Sequence, residues 1–584
     1  MPEPAEVIRA LRSTAYAAQV RELAAAVRTH DFPLLGIRIM TEREIRWRKD
    51  YVSGIESRLA YFRRIPYLDA EHVGDHKVIW ELNRHQHFIV LAQDFRLHGS
   101  RESLDELIAQ FESWVAQNPF QRGINWVSAL EVALRSLSWL WVWHLAGEAI
   151  SDSVRRVLLR QLHLHGTYIA NNLSHYFAPN THLLGEAVAL YTLGVLFDFP
   201  ESTQWAKMGS QVVEQEFDRQ MRDDGSHFEQ STYYQLYALD MFLFYAILSQ
   251  PGGLFREKLG RAADFLAGLM GVQQELPFIG DDDGGRFFHP YGNPARYGRA
   301  TLATCAEFLT DGRWQAKDED LAVQAAWWLG KTHRSHDVNG AQRSRLFRDA
   351  GLAVMCSGQL QSIIDVGPFG RAPAGHSHSD TLSCIVRDGG EPILIDPGTY
   401  TYVGDRKWRD YFRGSAAHNT VRIDEANQAV VAGPFGWTAL PDVSLIEWES
   451  QNDHDFVTAE CRYGGLVHRR TVLFVKTGAL FIKDEISGAL GEHLIEQFWQ
   501  TPKGGDHGRF RFSEQFELTD GWWSPAFGRK EPSTVIRVAA RRSLPYRLGA
   551  AIAMRPGSLE LSRQGTKFQF AWTPSEGQRC HWLM

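Results

Sequence analysis

A cluster of titratable residues in the second half of the chain has the composition of a metal or catalytic site. His376 and His378 are separated by one residue, and Asp396 and His418 follow downstream. The segment around the first two is predicted to be a β-strand, in which residues two positions apart point to the same face. Two imidazoles on one face, with a carboxylate and a third imidazole, suit a transition metal or acid–base chemistry. A pair of solvated histidines on an exposed strand is the alternative.

A predicted helix in the first half carries a polar stripe on an otherwise apolar surface. Within 124–145, the residues Ser128, Glu131, Arg135 and Ser138 fall along one side of the helix. An unpaired buried polar group costs about 1–3 kcal/mol, so these residues need partners. Two interpretations remain open at this point: a Glu131–Arg135 pair inside the helix, or a helix that lines a wet cleft.

Two later helices repeat this pattern. Asn180 suits a helix N-cap, but capping does not explain His182 and Glu186 together on an apolar helix. Glu229 precedes a helix with three tyrosines, which are Tyr233, Tyr234 and Tyr237. Tyrosines at helical spacing usually pack in a core, but these lie beside acidic and amide groups. Several helices with inward polar residues predict a central groove for a long polymer, closed on one side by the histidines.

The bulk composition predicts a globular protein with more than one domain. The chain has 584 residues, of which 44% are hydrophobic and 22% charged, so it is not a disordered protein. The net charge of −7 gives no reason to expect nucleic acid as a partner. Five scattered cysteines without Cys-x-x-Cys spacing argue against a disulfide framework and a thiolate metal site.

The sequence also bears on location. No apolar run is long enough to span a bilayer, and no secretory signal is recognisable at the start of the sequence. We therefore expect a cytoplasmic protein, or a periplasmic or secreted one if a signal has been removed. Oligomeric state is not readable from the sequence.

Two domains are predicted, with residues 1–340 helical and residues 341–584 an antiparallel β-domain. In the first part, apolar residues recur at three- and four-residue spacing, as in 124–145, 182–196, 233–248 and 259–272. The second part has short alternating segments rich in β-branched and aromatic residues, as in 351–357, 361–366, 382–387, 420–423, 470–475 and 480–485.

The order of these motifs resembles that of the heparinase II/III-like polysaccharide lyases. The resemblance runs through the segments 80–85, 123–126, 131–135, 180–183, 224–231, 375–380, 396–400, 417–421 and 468–470. It implies an incomplete (α/α) toroid followed by an antiparallel β-sandwich. It also implies β-elimination at the glycosidic bond on the non-reducing side of a uronic acid, which leaves an unsaturated uronate end. The family's Asn-Asn-His pattern reads Asn180-Thr181-His182 here.

The resemblance also implies catalytic roles. The carboxylate of the uronate would be neutralised by Asn180 with His182. Tyr234 would shuttle protons as general acid and possible base, His376 would be the second acid–base group, and Tyr402 an additional proton donor. Two neighbouring residues remain as alternatives to Tyr234: Tyr233 and Tyr237.

Further positions follow from the same resemblance. The implied substrate-binding residues are Arg84, His85, Asn125, Glu131, Arg135, Glu229 and Arg413. The positive charge of Arg84, His85 and Arg135 would help a nearby tyrosine to act as a base. The implied ligands of one structural divalent metal are His378, Asp396 and His418. Two imidazoles and one carboxylate favour Zn²⁺, with Mn²⁺ or Ca²⁺ as alternatives.

Two other function classes remain open on the sequence. A glycoside hydrolase on a similar toroid would use two carboxylates, for which Glu229 and the run 281–283 are candidates. That run is interpreted more simply as a polar turn. A polysaccharide-binding protein without activity is the third class. The expected substrate is a uronate-containing polysaccharide or oligosaccharide of glycosaminoglycan, alginate or bacterial exopolysaccharide type, and endo or exo action is not readable.

Overall fold

The computed structural model has helices in its first half and antiparallel sheets in its second half, as predicted. It describes residues 1–176, 178–314, 324–331, 342–370, 375–488 and 490–584. The predicted domain boundary between residues 340 and 341 lies outside the described residues. No helix in the described part of the chain is long and apolar enough to cross a membrane.

The helices of the first half lie close to the predicted segments. Their bounds are α1 Pro4–Leu11, α2 Ala15–Arg28, α3 Ala70–Val73, α4 His76–Asn83, α5 Gln86–His98, α6 Arg101–Gln117, α7 Ala129–Ala146, α8 Asp152–Asn171, α9 Thr181–Leu196, α10 Ser202–Gln220, α11 Thr232–Ser249, α12 Gly253–Met270, α13 Tyr297–Leu309 and α14 Ala325–Leu329. A hairpin of β1 Asp31–Leu34 and β2 Ile37–Met40 interrupts them. The sequence prediction treated this region as helical and was wrong there, because four-residue strands are too short to give a clear period.

The helices form two concentric layers. The inner helices α5, α7, α9 and α11 are buried around most of their circumference, and each packs against the next. The outer helices α6, α8, α10 and α12 each pack on the inner helix that precedes them and keep a polar face towards solvent. Because the inner helices are apolar nearly all round, they can be stable only between such neighbours.

Two side-chain caps set where the inner helices begin. Asn180 accepts a hydrogen bond from the His182 backbone N–H at 3.0 Å, and Ser231 accepts one from the Tyr234 N–H at 3.2 Å. These side chains satisfy backbone donors that have no partner within the helix. The helix starts also lie close together, since Asn180 is hydrogen bonded to Glu229, just ahead of α11. The caps therefore place polar residues at one end of the toroid.

The second half consists of antiparallel strands. Their bounds are β3 Arg345–Phe347, β4 Leu352–Ser357, β5 Leu360–Asp365, β6 Cys384–Asp388, β7 Glu391–Leu394, β8 Val421–Ile423, β9 Val430–Val431, β10 Trp437–Ala439, β11 Asp442–Ser450, β12 His454–Tyr463, β13 Leu466–Val475, β14 Ala479–Ser487, β15 Glu492–Pro502, β16 Phe510–Phe512, β17 Phe516–Ala526, β18 Arg529–Ser543, β19 Tyr546–Ala553, β20 Gly557–Gln564, β21 Lys567–Pro574 and β22 Cys580–Leu583. A short helix, α15 Arg406–Phe412, lies between β7 and β8.

These strands pack as layered sheets. The main sheets have the strand orders β3-β4-β5-β6-β7, β11-β12-β13-β14-β19-β16 and β17-β18-β15-β8, and β20-β21-β22 forms a further sheet. Buried residues from the first three share one apolar core, which includes Ile364, Phe474 and Trp499. Alternating apolar residues of facing sheets fill such a core, which is the packing of a β-sandwich.

The segment 375–380 differs from its prediction. It is a loop between β5 and β6 and not a strand. Its backbone bonds across to the helical half, where the Asp281 N–H donates to the His376 carbonyl at 2.8 Å. Within the β-domain, the Ser379 N–H donates to the Arg413 carbonyl. These long-range bonds replace a strand ladder, which the sequence could not reveal.

Candidate active site

Three aromatic side chains from both halves of the protein meet in one buried cluster. The imidazole of His376 stacks on the ring of Tyr234, with ring centroids 3.8 Å apart. The Tyr234 hydroxyl lies 3.2 Å from the hydroxyl of Tyr402. Tyr234 is on α11, whereas the other two come from loops of the β-domain. Two groups that can transfer protons are therefore held face to face across the domain interface.

A second polar group lies beside this cluster. The Asn180 oxygen accepts from both the backbone N–H and the Nδ1–H of His182, each at 3.0 Å. This arrangement fixes the amide so that its Nδ2 donates to Glu229 Oε1 at 2.6 Å. The same oxygen of Glu229 lies 3.5 Å from His376 Nε2. Burial lowers the pKa of His182 to about 4, so its ring orients Asn180 without carrying a charge.

Electrostatics favour a protonated Tyr234 in the resting protein. Burial and the charge of Asp283 raise the pKa of Tyr234 well above its ordinary value. The sequence had suggested that positive neighbours would stabilise a phenolate. Arg409 does act on Tyr234, but burial and the acidic groups Asp283 and Glu229 outweigh it. Burial lowers the pKa of His376, but the hydrogen bond to Asp281 and the charge of Glu229 outweigh it, and the net shift is upwards. Burial also raises the pKa of Glu229.

Asp281 connects several parts of this site. One carboxylate oxygen accepts from His376 Nδ1 at 3.1 Å, and the other accepts from His378 Nε2 at 2.9 Å. Arg409, from α15, donates to both oxygens. The pKa of Asp281 is raised by burial but lowered further by Arg409, so the carboxylate stays ionised. Asp281 is fully buried, so the sequence-based interpretation as a polar turn is wrong.

A network of buried charges from α4, α7 and the loop of Asp283 lies next to His182. Arg84 donates to both oxygens of Glu131 at 2.8 Å, and Lys77 pairs with Asp283 at 3.1 Å. The charges of Glu131, Asp283 and Arg84 all act on His182. Glu131 therefore pairs with Arg84, just after the end of α4, and the Glu131–Arg135 pair considered for the sequence does not form. Each of these buried charges is compensated by an opposite charge, so none is left as an unpaired ion.

The three residues implied as metal ligands also meet. Ligand atoms of His378, Asp396 and His418 all lie within 4.8 Å of one another, and all three residues are buried. His418 lies with Nε2 3.1 Å from the Phe412 carbonyl and Nδ1 3.0 Å from an Asp396 carboxylate oxygen, so Nδ1 can serve as a ligand once it gives up its proton. His378 donates from Nε2 to Asp281, and its buried Nδ1 has no hydrogen-bond partner.

Two family models match the chain in the order of its two halves. The model for the heparinase II/III N-terminus matches residues 8–258, and that for the heparinase II/III-like C-terminal region matches residues 339–494. The chain belongs to the heparinase II/III family. The predicted family, an incomplete (α/α) toroid followed by a β-sandwich, and the enzyme class of polysaccharide lyase are thereby confirmed.

Curated relatives carry names consistent with this family. A heparin-sulfate lyase of Bacteroides stercoris is 24% identical over 516 residues, which is 80% of this chain and 72% of that protein. A heparin-sulfate lyase of Pedobacter heparinus is also 24% identical, over 72% of this chain and 62% of its own length.

Solved structures of heparinase II/III relatives have the same fold. A crystal structure of heparinase III aligns with a TM-score of 0.72 at 17% identity and covers 98% of this chain and 91% of that chain. Heparan sulfate lyase from Pedobacter heparinus aligns with a TM-score of 0.60 at 18% identity over 97% of this chain and 89% of its own.

The structure separates the implied substrate-binding residues into two groups. Arg84, Glu131 and Glu229 lie at the site described above. The others are enclosed elsewhere by protein atoms. Arg413 is 1% exposed and donates to Asp410 and to the Gly433 carbonyl, so it fixes a loop of the β-domain.

His85, Asn125 and Arg135 are completely buried in the helical core. His85 stacks on Phe88 and accepts from Trp139, while Arg135 stacks on Trp114 and donates to the Asn125 carbonyl. The sequence placed these three at the substrate, but the structure makes them packing residues of the toroid. An inward polar residue on a helix can face either the groove or a neighbouring helix, and local periodicity does not distinguish the two.

The rival tyrosines occupy different surroundings from Tyr234. The hydroxyls of Tyr233 and Tyr237 are buried without a hydrogen-bond partner in the described structure. Neither ring stacks on His376, whereas Tyr234 does. The geometry therefore favours Tyr234 over its two neighbours.

Sequence reasoning missed the contribution of Asp281 and Arg409. The run 281–283 was noticed, but as a turn or as hydrolase carboxylates. Its burial follows from partners far along the chain, including His376 and Arg409. Three consecutive aspartates flanked by glycines were the available signal in the sequence.

Glu186 on α9 is expected to make the stability depend on pH. Its carboxyl accepts from the N–H and the hydroxyl of Ser174, and burial raises its pKa to about 8 from an ordinary 4.5. The folded protein therefore holds this proton more tightly, so its stabilising effect is full below the unfolded-state pKa and is lost as the pH rises towards 8, by at most ~1.4 kcal/mol per pH unit.

Glu186→Gln removes the titratable group, so it should flatten the dependence of stability on pH. The measurement is the thermal midpoint at several pH values between 4.5 and about 8. Glu214→Gln, which alters an exposed carboxylate on α10, is the matched control. An unchanged slope in Glu186→Gln would contradict the assignment.

Proposed function

We propose that this protein cleaves heparan-type glycosaminoglycans by β-elimination at the glycosidic bond to a uronic acid. The observation that carries the proposal is the stacking of His376 on Tyr234, beside the fixed amide of Asn180. The names of the heparin-sulfate lyase relatives support the substrate class. Alginate-like uronates and bacterial exopolysaccharides are the other uronate substrates to be compared.

Elimination requires that the uronate carboxylate be neutralised. The C5 proton is weakly acidic while that group is ionised, because the negative charge of the intermediate must spread onto it. Asn180 is positioned to donate from Nδ2, since His182 occupies its oxygen. Glu229 shares this donor in the resting protein. Since burial raises the pKa of Glu229, its protonated form can stand next to the substrate carboxylate without repulsion.

Two proton transfers complete the reaction. Tyr234 holds its proton in the resting state, so it is suited to protonate the leaving O4. His376 donates from Nδ1 to Asp281, which leaves Nε2 to take the C5 proton. The upward pKa shift of His376 strengthens it as a base at mildly alkaline pH. Tyr402, hydrogen bonded to Tyr234, can resupply the proton.

The arrangement does not favour a glycoside hydrolase. That mechanism needs two free carboxylates on opposite sides of the scissile bond. Asp281 is held by two histidines and Arg409, and Asp283 is paired with Lys77. Glu229 remains, but a single carboxylate does not supply both roles. A binding protein without activity would have no need for the buried proton-transfer pair.

His378, Asp396 and His418 are proposed to hold one divalent metal, with Zn²⁺ favoured over Mn²⁺ and Ca²⁺. Ligand atoms of the three residues lie within 4.8 Å of one another, and the buried Nδ1 of His378 has no hydrogen-bond partner. Two nitrogens and one carboxylate oxygen suit zinc. A bound ion would tie the loop of His376 to two other β-domain segments and leave both proton transfers to side chains.

The proposed function is tested by the absorbance of the product. Elimination gives a C4–C5 double bond conjugated to the carboxylate, which absorbs in the ultraviolet. We expect heparan sulfate to give this absorbance, with product masses lacking one water relative to hydrolysis. Chondroitin sulfate, hyaluronan, alginate and uronate exopolysaccharides complete the panel. Release of saccharides without ultraviolet absorbance would exclude elimination, and no product from any substrate would exclude the lyase function.

His378→Ala is expected to lower both the metal content and the thermal midpoint. The variant removes one of three ligands and one hydrogen bond to Asp281. Metal per chain should fall from about one to well below one in elemental analysis, because a site that loses one of its ligands binds the metal much more weakly. His72→Ala, at an exposed histidine, should keep the metal content of the unmodified protein. Equal metal content in both variants would remove His378 from the ligand set.

A further inference from the structure

Asp281 is the point at which the catalytic and metal groups are joined. Its carboxylate receives His376 on one oxygen and His378 on the other, and Arg409 holds both oxygens. The residue is completely buried, so each of these partners is fixed by protein packing. The reaction described above uses only its contact with His376, and the contacts with His378 and Arg409 have no role there.

The backbone of Asp281 also reaches both catalytic elements. Its N–H donates to the His376 carbonyl at 2.8 Å, and its carbonyl accepts from the Ser231 hydroxyl at 2.5 Å. Ser231 caps the helix that carries Tyr234. The preceding Gly280 has a φ of +69°, and a Cβ there would approach two backbone oxygens at 2.7 Å. This segment is therefore held tightly between the two proton-transfer groups.

We propose that Asp281 is a positioning residue that sets the tautomer of His376 and, through His378, connects it to the metal site. This inference rests on the proposed function. An ionised carboxylate on Nδ1 keeps the proton there, so Nε2 faces Glu229 and the substrate side. With the opposite tautomer, the lone pair would point at Asp281 and the base would be lost.

The second oxygen has the same effect on His378. It accepts from Nε2 and leaves Nδ1 for the ligand cluster, which is the carboxylate–histidine pattern of metal sites. Arg409 offsets the charge of Asp281 and holds its orientation, while its guanidinium also lies 4.8 Å from the centre of the Tyr402 ring. One buried carboxylate thus orients two imidazoles with different tasks.

Asp281→Asn is the first test, with Asp282→Asn as the control. The neighbouring Asp282 is also buried, but its carboxyl bonds to the Gly284 N–H and to neither histidine. We expect kcat to fall about 100-fold in Asp281→Asn with KM changed by less than about threefold, because ground-state binding is retained. Metal affinity should fall about 10–100-fold, the usual effect of losing an outer partner. The control variant should have nearly the same kcat and the same metal affinity as the unmodified enzyme.

The tautomer itself is measured by NMR with ¹⁵N-labelled histidine, using His376→Gln to assign the signal. The unmodified protein should show an unprotonated Nε2, and Asp281→Asn should change that signal. This readout needs no activity, so it separates this inference from the proposed function. An unchanged His376 tautomer in Asp281→Asn would overturn the inference, whatever the activity.

A second variant decides the question if Asp281→Asn does not fold. Arg409→Lys keeps the positive charge but cannot bind both oxygens of Asp281. We expect a smaller loss of kcat, of about tenfold, and a smaller change in the His376 signal, because the carboxylate remains but is held less firmly. A folded Arg409→Lys protein with an unchanged signal and unchanged kcat would count against the positioning role.

Discussion

Tyr234→Phe is expected to lower kcat about 1,000-fold while KM stays within a few-fold, because a positioned proton donor contributes 10²–10⁴. The phenyl ring can still stack on His376, so the substrate groove keeps its shape. What the variant removes is the hydroxyl that bonds to Tyr402 and carries the proton for the leaving O4. The measurement is the initial rate of ultraviolet absorbance with a heparan substrate, together with the thermal midpoint.

Tyr245→Phe is the matched control for this variant. Tyr245 lies on the same helix, about 16 Å further along by the helical rise, and bonds to Glu214. It should retain the rate of the unmodified enzyme. Tyr233→Phe and Tyr237→Phe measure the rival assignments, and a larger loss in either would transfer the role to it. Retention of more than about a tenth of kcat in Tyr234→Phe would rule out this tyrosine as the essential acid.

His376→Gln should lower kcat by a factor of about 10²–10³, the range expected for loss of a positioned base. Glutamine is similar in length to imidazole, so the contact with Tyr234 is disturbed less than by alanine. It has no nitrogen lone pair for the C5 proton, however. We expect the loss to persist at higher pH, because no residue with a lone pair replaces Nε2. Rates across the pH range, with KM determined at each value, provide the measurement.

His454→Gln is the control for this replacement. His454 is on β12 and pairs with Asp453, away from the domain interface. It should leave both the rate and the pH profile unaltered. If His376→Gln keeps its rate at high pH, hydroxide or Tyr234 takes the C5 proton, and His376 serves only to pack the site. The same conclusion would follow if His376→Gln lowered the thermal midpoint but left kcat unchanged.

Sequence patterns predicted the helices that position the site. They predicted the contacts between elements less well. The segments 182–196 and 233–248 were predicted within a residue or two of α9 and α11, because helical periodicity depends on neighbours three and four positions apart. The N-cap role of Asn180 was also predictable from its own segment. The strand predicted around His376 failed, because the loop conformation is stabilised by Asp281, far away in the chain.

The sequence by itself determined the order of helical and β-domains, the family, and the types of residue available for chemistry. Tertiary structure decided which of these residues come together in the site and which pack in the core. It paired Glu131 with Arg84 and not with Arg135, enclosed His85 and Asn125 in the core, and placed Asp281 between two histidines. The reason is physical: local periodicity fixes the face on which a side chain lies, whereas its partner and its pKa depend on what packs against that face.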